Sequence, residues 1–379
     1  MSGSDLVADV RVLHVMEALE GGTARHLVDL VRNVPGVEHH VAVPSQRVGG
    51  LTDRAAAGRM TAAGAVVHVT DMRRFPLAPR NGAALAGLVR LVQRTRPTLV
   101  HGHSSVGGAL GRVAATLTGR PRVYTPNGLA TGAAALAIER TLGRLTDQLI
   151  ATSEAEASQL LALRLVPASR LVTITNGIEV EGWSPPEGTP DLRAILGVEE
   201  EAPLIGTISR LVPQKAPERF TEVAGLVLAA RPDAHAVLIG DGPLRSAIDR
   251  RLLPPGTSDR FHHLPAMADA GAVLGQIDVF VLTSRFEGCP YSALEAMRAG
   301  TPPVLTDVVG SRNVVVDGVS GHLVAEHDQR AMASVVLDLL ADDRRRRDVG
   351  AAAREHVRRF DVRKMGQAVS ALYRDLADR

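Results

Sequence analysis

The sequence predicts an α/β protein made of two successive domains, each a doubly wound parallel sheet. Three observations carry that reading. Short β-branched runs alternate with longer helical patterns along most of the chain, the order that right-handed βαβ crossovers require. The alternation breaks at residues 179–190 (EVEGWSPPEGTP), where Pro, Gly and Glu give linker chemistry, and then restarts. The length, 379 residues, is that of about two domains. The boundary is expected between residues 182 and 183.

In the first half, residues 10–15 read as the opening strand. Residues 23–33 read as a helix, because Leu27, Leu30 and Val31 recur on one face. Strands follow at 40–43, 66–69, 99–101, 122–125, 149–152 and 171–174, with helices at 83–94, 107–117 and 154–163. After the linker come strands at 204–208, 235–239, 260–264, 279–283 and 303–305. Helices at 216–230, 243–250 and 290–299 separate them, and from Gln329 onward the pattern is mostly helical. In open sheets of this kind ligands bind beyond the carboxyl ends of the strands. The loops after strands, and a cleft between two such domains, are where chemistry is expected.

Composition narrows the classes. Hydrophobic residues make up 45% and charged residues 22%, enough for sizeable cores and too apolar for a disordered chain. Basic and acidic residues nearly balance, 43 against 41, which disfavours nucleic-acid binding. The single cysteine, Cys289, allows no internal disulfide and fits a reducing compartment. The first residues lack the basic and apolar regions of a signal peptide, and no apolar run reaches the ~18 residues of a membrane span. A soluble cytoplasmic protein is expected. Of the 43 basic residues only Lys215 and Lys364 are lysine, so a lysine in this chain departs from its default.

Six stretches carry possible chemistry. Gly21-Gly22 opens the first helix, where paired glycines let amide N–H groups approach an anion, or simply form a tight turn. Arg210 and Lys215 follow the first strand of the second half, where a guanidinium and an ammonium suit a diphosphate. Gly240-Asp241-Gly242-Pro243 is equally readable as a ligand-lining loop and as a plain strand-to-helix turn. In Glu287-Gly288-Cys289-Pro290-Tyr291-Ser292-Ala-Leu-Glu295, Pro290 starts a helix, leaving one carboxylate in the loop and one inside. Such a pair suits hydroxyls of a sugar or ribose, with a phosphate at the helix start. In the first half, His101 and His103 follow the fourth strand and Asn127 the fifth, all expected at strand ends facing the cleft. The run Arg344–Arg347 among aspartates reads as a solvated helix face.

Taken in order, the early Gly-Gly, R-x4-K, the G-D-G turn and E-G-x-P-x4-E resemble the retaining glycosyltransferases of family 4, with the GT-B fold of two Rossmann-like domains. The similarity spans nearly the whole chain, including Asn176-Gly-Ile178 before the linker, and Glu287 to Glu295 is its most specific piece. It implies a nucleotide-diphosphate sugar, UDP-linked by preference, held mainly by the second domain, 183–360. It assigns the acceptor to the first domain, 1–182, to which a final helix, 361–379, would cross back. Arg210 and Lys215 would neutralise the diphosphate, with the amides of Gly21 and Gly22 closing from the other side. Glu287 would contact the transferred sugar and Glu295 the ribose. Gly242, Leu264 and the stretch Gly288, Cys289, Pro290, Tyr291, Ser292 would line the donor.

The resemblance implies front-face substitution with retention, with no cofactor beyond the sugar nucleotide. It also implies no metal, in keeping with the absence of any D-x-D triplet. Many relatives carry histidine where this chain has Asn127, so the contact near the reacting sugar is expected to be altered, with an unusual donor sugar or with His103 sharing the role. Cys289 replaces a bulkier apolar residue and would enlarge the sugar pocket. The acceptor is expected near Gly22, His103 and residues 71–81. With aromatics at 3%, a membrane-docked enzyme is disfavoured and a small soluble hydroxyl acceptor, such as an aminocyclitol or secondary-metabolite precursor, is favoured. A lipid-linked or envelope-glycan acceptor, a sugar-nucleotide epimerase and a non-catalytic binder are the rivals. A two-carboxylate glycoside hydrolase would leave Arg210 and Lys215 without a task.

Overall fold

The computed structural model describes residues 10–17, 19–45, 54–73, 78–128, 132–248, 253–267 and 269–379. The chain divides into two compact units, one of Met1–Gly177 with Val362–Arg379 and one of Ile178–Asp361.

The first unit runs β1 (Val10–Met16), α1 (Gly21–Asn33), β2 (Val37–Val43), α2 (Arg54–Ala62), β3 (Val66–Val69), α3 (Arg80–Thr95), β4 (Leu99–His103) and α4 (Ser105–Leu117). It continues with β5 (Arg122–Thr125), α5 (Ala133–Gly143), β6 (Gln148–Ala151), α6 (Glu154–Ala162) and β7 (Leu171–Thr173). The strands form one parallel sheet in the order β3-β2-β1-β4-β5-β6-β7. A parallel sheet buried on both faces needs apolar strands, and Val12, Leu13, Val15, Leu99 and Val100 are almost wholly buried. Close approach of α4 to β1 requires glycine at 107, where a Cβ would lie 2.6 Å from the Val15 carbonyl oxygen.

The second unit runs α7 (Leu192–Leu196), β8 (Leu204–Ile208), α8 (Pro217–Ala230), β9 (His235–Ile239), β10 (Phe261–Leu264), β11 (Val279–Leu282), α9 (Tyr291–Ala299) and β12 (Pro303–Thr306). It ends with α10 (Val309–Val314), β13 (His322–Val324), α11 (Gln329–Ala341) and α12 (Asp343–His356). Its parallel sheet has the order β10-β9-β8-β11-β12-β13. One core side holds Phe220, Val223, Val227, Val279 and Val281 against α11, and the other holds Leu294, Met297 and Phe280.

The last helix, α13 (Val362–Ala377), belongs to the first unit. Its Met365, Val369, Tyr373 and Leu376 pack with Val10, Leu30 and Leu99, and Ser370 Oγ donates to the Pro35 carbonyl at 2.8 Å.

Two expectations are corrected. Residues 243–250 do not form the expected helix within the described part. A short 3-10 turn, Arg245–Ala247, stands there and goes no further because the backbone leaves the helical region at Ile248, ψ 69°, while residues 249–250 lie outside the described residues. The fourth strand runs on through His103, so His101 and His103 lie within it rather than in the following loop. Between Asp71 and Asn81, residues 74–77 likewise lie outside the described residues.

Candidate active site

In each sheet the strand order reverses once, between β1 and β4 and between β8 and β11, and such switch points are where open α/β sheets bind ligands. In the second unit the loops leaving β8 and β11 are fastened to each other. The Arg285 amide donates to the Gln214 carbonyl at 2.8 Å, Gln214 Nε2 donates to the Phe286 carbonyl at 3.1 Å, and Thr283 Oγ1 donates to the Ala216 carbonyl at 3.2 Å. Ala216 takes a left-handed conformation, φ 48°, and Pro217 starts α8 behind it. Held by these contacts, Lys215 Nζ pairs with Glu287 Oε1, the two side chains being 13% and 6% exposed. A pair this sheltered is screened far less than a surface ion pair. Arg210 lies half-buried on the same loop, just past β8.

The helix after this loop is α9, capped by buried Pro290, so it starts one residue later than expected, at Tyr291. Gly288, Cys289, Tyr291 and Ser292 are half-buried around that start. Gly310 fixes the loop from beneath, since a Cβ there would come 2.5 Å from the Glu287 carbonyl oxygen. Glu295 lies further along α9 and packs on Gly271, where a Cβ would meet its carboxyl carbon at 2.7 Å. Gly242 is explained by backbone approach, because a Cβ would lie 2.5 Å from the Leu211 carbonyl oxygen. The G-D-G turn thus braces the β8 loop through Leu211, whose amide donates to the Asp241 carbonyl at 2.9 Å. The half-buried Leu264 ends β10, and its carbonyl accepts from the Gly240 amide at 3.0 Å.

In the first unit Gly21, at φ 51°, starts α1, and both it and Gly22 are exposed. Buried Glu17, at the end of β1, accepts from Ser104 Oγ at 3.0 Å and from the Gly107 amide at 2.7 Å, tying β1 to the start of α4. Asn127 follows β5 at φ 52°, a left-handed conformation that asparagine tolerates better than most residues. Its Nδ2 is buried with no partner, and the neighbouring Gly128 amide is held by Glu156 at 3.3 Å. Glu156 also accepts from the Thr152 amide and hydroxyl, both at 2.7 Å, in the Ser153-x-x-Glu156 pattern of a helix start.

His103 is fully buried, contrary to its expected place in a cleft-facing loop. It belongs to a network that single-sequence reasoning missed, because its members stand on different strands. His14 Nδ1 lies 3.0 Å from His103 Nε2, and His14 Nε2 lies 3.0 Å from His39 Nδ1. His101 Nδ1 meets the Tyr373 hydroxyl at 2.5 Å and Nε2 meets Thr125 Oγ1 at 2.8 Å. Burial, chiefly, depresses every proton affinity here, holding His26 and His39 to about 4 and His14, His101 and His103 well below the ordinary value. The rings are neutral, so each has one donor and one acceptor nitrogen. The tautomers set the direction in which this chain donates, and His39 Nε2 and His103 Nδ1 are buried with no partner. One ring nitrogen each of His14, His101 and His103 lies within 4.8 Å of the others, as a metal centre would need. In this chain His14 and His101 use both their nitrogens in the hydrogen bonds above, which account for the cluster without an ion.

Known proteins match this arrangement. Residues 20–181 match the model described as Glycosyltransferase Family 4, and residues 189–356 the model described as Glycosyl transferases group 1. A D-inositol 3-phosphate glycosyltransferase of Saccharomonospora viridis is 30% identical over 73% of this chain and 70% of its own. The UDP-Gal:alpha-D-GlcNAc-diphosphoundecaprenol alpha-1,3-galactosyltransferase of Escherichia coli is 29% identical over 65% of this chain and 67% of its own. Anabaena HepE, solved in complex with UDP and glucose, shares the fold with a TM-score of 0.81 at 20% identity, over 97% of this chain and 100% of that one. Two Rossmann-like units, both matched by glycosyltransferase models, establish that the chain belongs to glycosyltransferase family 4, GT-B enzymes that transfer a sugar from a nucleotide-diphosphate donor.

Proposed function

We propose that the chain moves a sugar from a UDP-sugar to a hydroxyl of a small soluble polyol, with retention and without a metal. The observation that supports it best is the Lys215–Glu287 pair at the switch point of the second unit. Without donor, each charge neutralises the other. An arriving diphosphate competes for the ammonium, and Glu287 is released to accept hydrogen bonds from the sugar. Arg210 shares the diphosphate, Glu295 takes the ribose, Gly242 and Leu264 brace the β8 loop, and backbone of residues 288–292 lines the sugar. The amides of Gly21 and Gly22 approach the diphosphate from the first unit. Asn127 supplies its unpaired amide to the sugar, and His103 supports that edge from within the sheet. The anomeric C–O bond to phosphate breaks as the acceptor oxygen bonds on the same face. The acceptor's proton passes to the departing diphosphate oxygen, whose charge Arg210 and Lys215 stabilise.

The polyol reading draws on the D-inositol 3-phosphate named for the Saccharomonospora relative, and the lipid-linked acceptor named for the E. coli relative supports a second reading. The test begins with thermal unfolding against UDP, GDP, ADP, CMP and dTDP, with and without EDTA. UDP at 100 times its dissociation constant should stabilise by ~2.7 kcal/mol, unaffected by EDTA and lost in Lys215→Ala. Product analysis with UDP-sugars then offers inositol, D-inositol 3-phosphate and a polyprenyl-diphosphate-linked sugar in parallel. An α-glycoside of a soluble cyclitol is expected. Transfer only to the lipid-linked sugar would move the assignment to the second reading, and an isomerised donor or no UDP binding would reject transfer.

A further inference from the structure

Ser104, directly past β4, is held in a backbone conformation that its residue type disfavours. Its φ is 58° and its ψ −173°, a region essentially reserved for glycine. Arg96, Ala216 and Asp269 also have positive φ, but with ψ of 54°, 59° and 36° they lie in the ordinary left-handed region. The Ser104 amide donates to the Thr125 carbonyl at 3.0 Å and its carbonyl accepts from the Gly108 amide at 3.1 Å, so the neighbours fix the strain in place. Glycine, present close by at 102, 107 and 108, would carry no such strain. A serine that persists here has a side chain in use.

That use is not helix capping. Ser104 precedes α4 but gives it no side-chain bond. Buried Glu17 reaches over from β1 and accepts from the Gly107 amide at 2.7 Å, so a carboxylate already occupies that helix start. The other Glu17 oxygen accepts from Ser104 Oγ at 3.0 Å. With its proton turned to Glu17, the Ser104 oxygen can only accept from anything else that meets it. Such an oxygen matches a hydroxyl and mismatches a phosphate, whose oxygens also accept, and the Glu17 carboxylate behind it adds repulsion. Ser104 is half-buried rather than enclosed, and it stands beside the β1–β4 reversal, where open sheets bind ligands. His103 pairs with Thr125, so Asn127, whose amide nitrogen is buried with no partner, follows the end of the neighbouring strand. We propose that Ser104 binds an uncharged hydroxyl of the molecule that receives the sugar, and that Glu17 is the positioning residue that turns the Ser104 proton away and so disfavours a phosphate at this point. The inference rests on the transfer reading given above.

Steady-state transfer by the full chain from UDP-glucose to inositol and to D-inositol 3-phosphate tests it, with thermal unfolding of each variant. Ser104→Gly and Ser104→Ala both remove the hydroxyl, and Ser104→Gly, freed of strain, should melt several degrees above Ser104→Ala. Both should raise KM for inositol about tenfold and leave KM for UDP-glucose unchanged, so that activity follows the hydroxyl and not the stability. In Glu17→Gln the amide oxygen can keep the Gly107 bond while its NH2 group donates to Ser104 Oγ, which releases the serine proton towards the ligand. That variant should raise the ratio of kcat/KM for D-inositol 3-phosphate over inositol about tenfold, whereas a merely structural Glu17 would lower both alike. Equal melting of the two Ser104 variants would remove the strain. Parent-like KM for inositol in Ser104→Gly would show that the hydroxyl serves Glu17 alone. A rise in KM for UDP-glucose instead would move Ser104 to the donor side, and an unchanged ratio in Glu17→Gln would remove the positioning role. Each of these results overturns the proposal. No product from the parent, with UDP bound, would fail the transfer reading itself before any variant is compared, and this proposal with it.

Discussion

The strand order reverses in both units, and the two reversals are furnished differently. Beyond β8 and β11 stand ionised side chains on loops, Lys215 against Glu287, within reach of a ligand that could trade places with either. Beside the β1–β4 reversal, apart from Glu17, the polar groups are imidazoles drawn inside the sheet, neutral, buried and hydrogen-bonded to one another. A charge on a loop can be exchanged for a ligand's charge. A buried neutral ring cannot, and it acts by fixing where neighbouring donors and acceptors point. At its reversal the second unit thus sets out charges that a ligand could exchange, and the first sets out buried rings that hold geometry.

The contrast can be broken most sharply at Lys215. Lys215→Ala should lower kcat/KM for the donor by ~10²–10³, the scale of losing one charge-stabilising donor, with the fold intact by circular dichroism. Retained turnover would mean that the second unit does not work through this charge. In the first unit His14→Leu removes the centre of the histidine chain and leaves His103 Nε2 and His39 Nδ1 unpaired in the core. Urea unfolding should show ~2–4 kcal/mol of lost stability, while UDP binds as before.

Acid should separate the units next. The folded rings of His26 and His39 titrate near 4 against 6.5 in an unfolded chain, and those of His14, His101 and His103 are also lowered. Their contribution is complete above pH 6.5 and is lost as pH falls from there towards 4, because the unfolded chain takes up protons first. Between pH 7 and pH 6 this is roughly 0.7 kcal/mol for each ring, or about 3–4 kcal/mol over the five rings. His235, His322 and His356 of the second unit shift in the same direction but are less buried. Calorimetry at the two pH values should show the transition that His14→Leu marks moving first; the opposite order would contradict the contrast. The smallest effect should come from Tyr373→Phe, which deletes one hydrogen bond to His101 and should cost about 1 kcal/mol in the same urea assay.

What could be read from the sequence follows the same division. The β8 loop and the segment before α9 were legible because a lone lysine in an arginine-rich chain, and a Glu-Gly-x-Pro entry to a helix, are local signals. That Lys215 and Glu287 touch was not, since it needs the register of β8 beside β11. The histidine chain was invisible for a stronger form of that reason. His14, His39 and His101 meet only because His14 pairs with His101 and Val12 with His39 across adjacent strands, and periodicity in one segment cannot report its register against another. His103 read as a loop residue because a histidine-glycine-histidine run does not look like a buried strand. Pro243 misled for the opposite reason, being a sound local signal for a helix start in a segment whose backbone leaves the helical region at Ile248. The Ser153-x-x-Glu156 start of α6 shows local rules working where nothing distant competes.

The return of α13 to the first unit sets an order of assembly on the ribosome. The second unit is one uninterrupted stretch, Ile178–Asp361, whereas the first is complete only when Val362–Arg379 has emerged. Tyr373 reaches back across 272 positions to His101, and glycine at 366 admits the Asn33 carbonyl, where a Cβ would lie 1.9 Å from it. During synthesis the amino-terminal sheet must wait, with Val10, Leu30 and Leu99 lacking their cover, while the later unit closes on its own. A nascent chain arrested before α13 should thus carry a folded second unit and a loose first one, because residues 362–379, made after that unit, complete the first sheet's core.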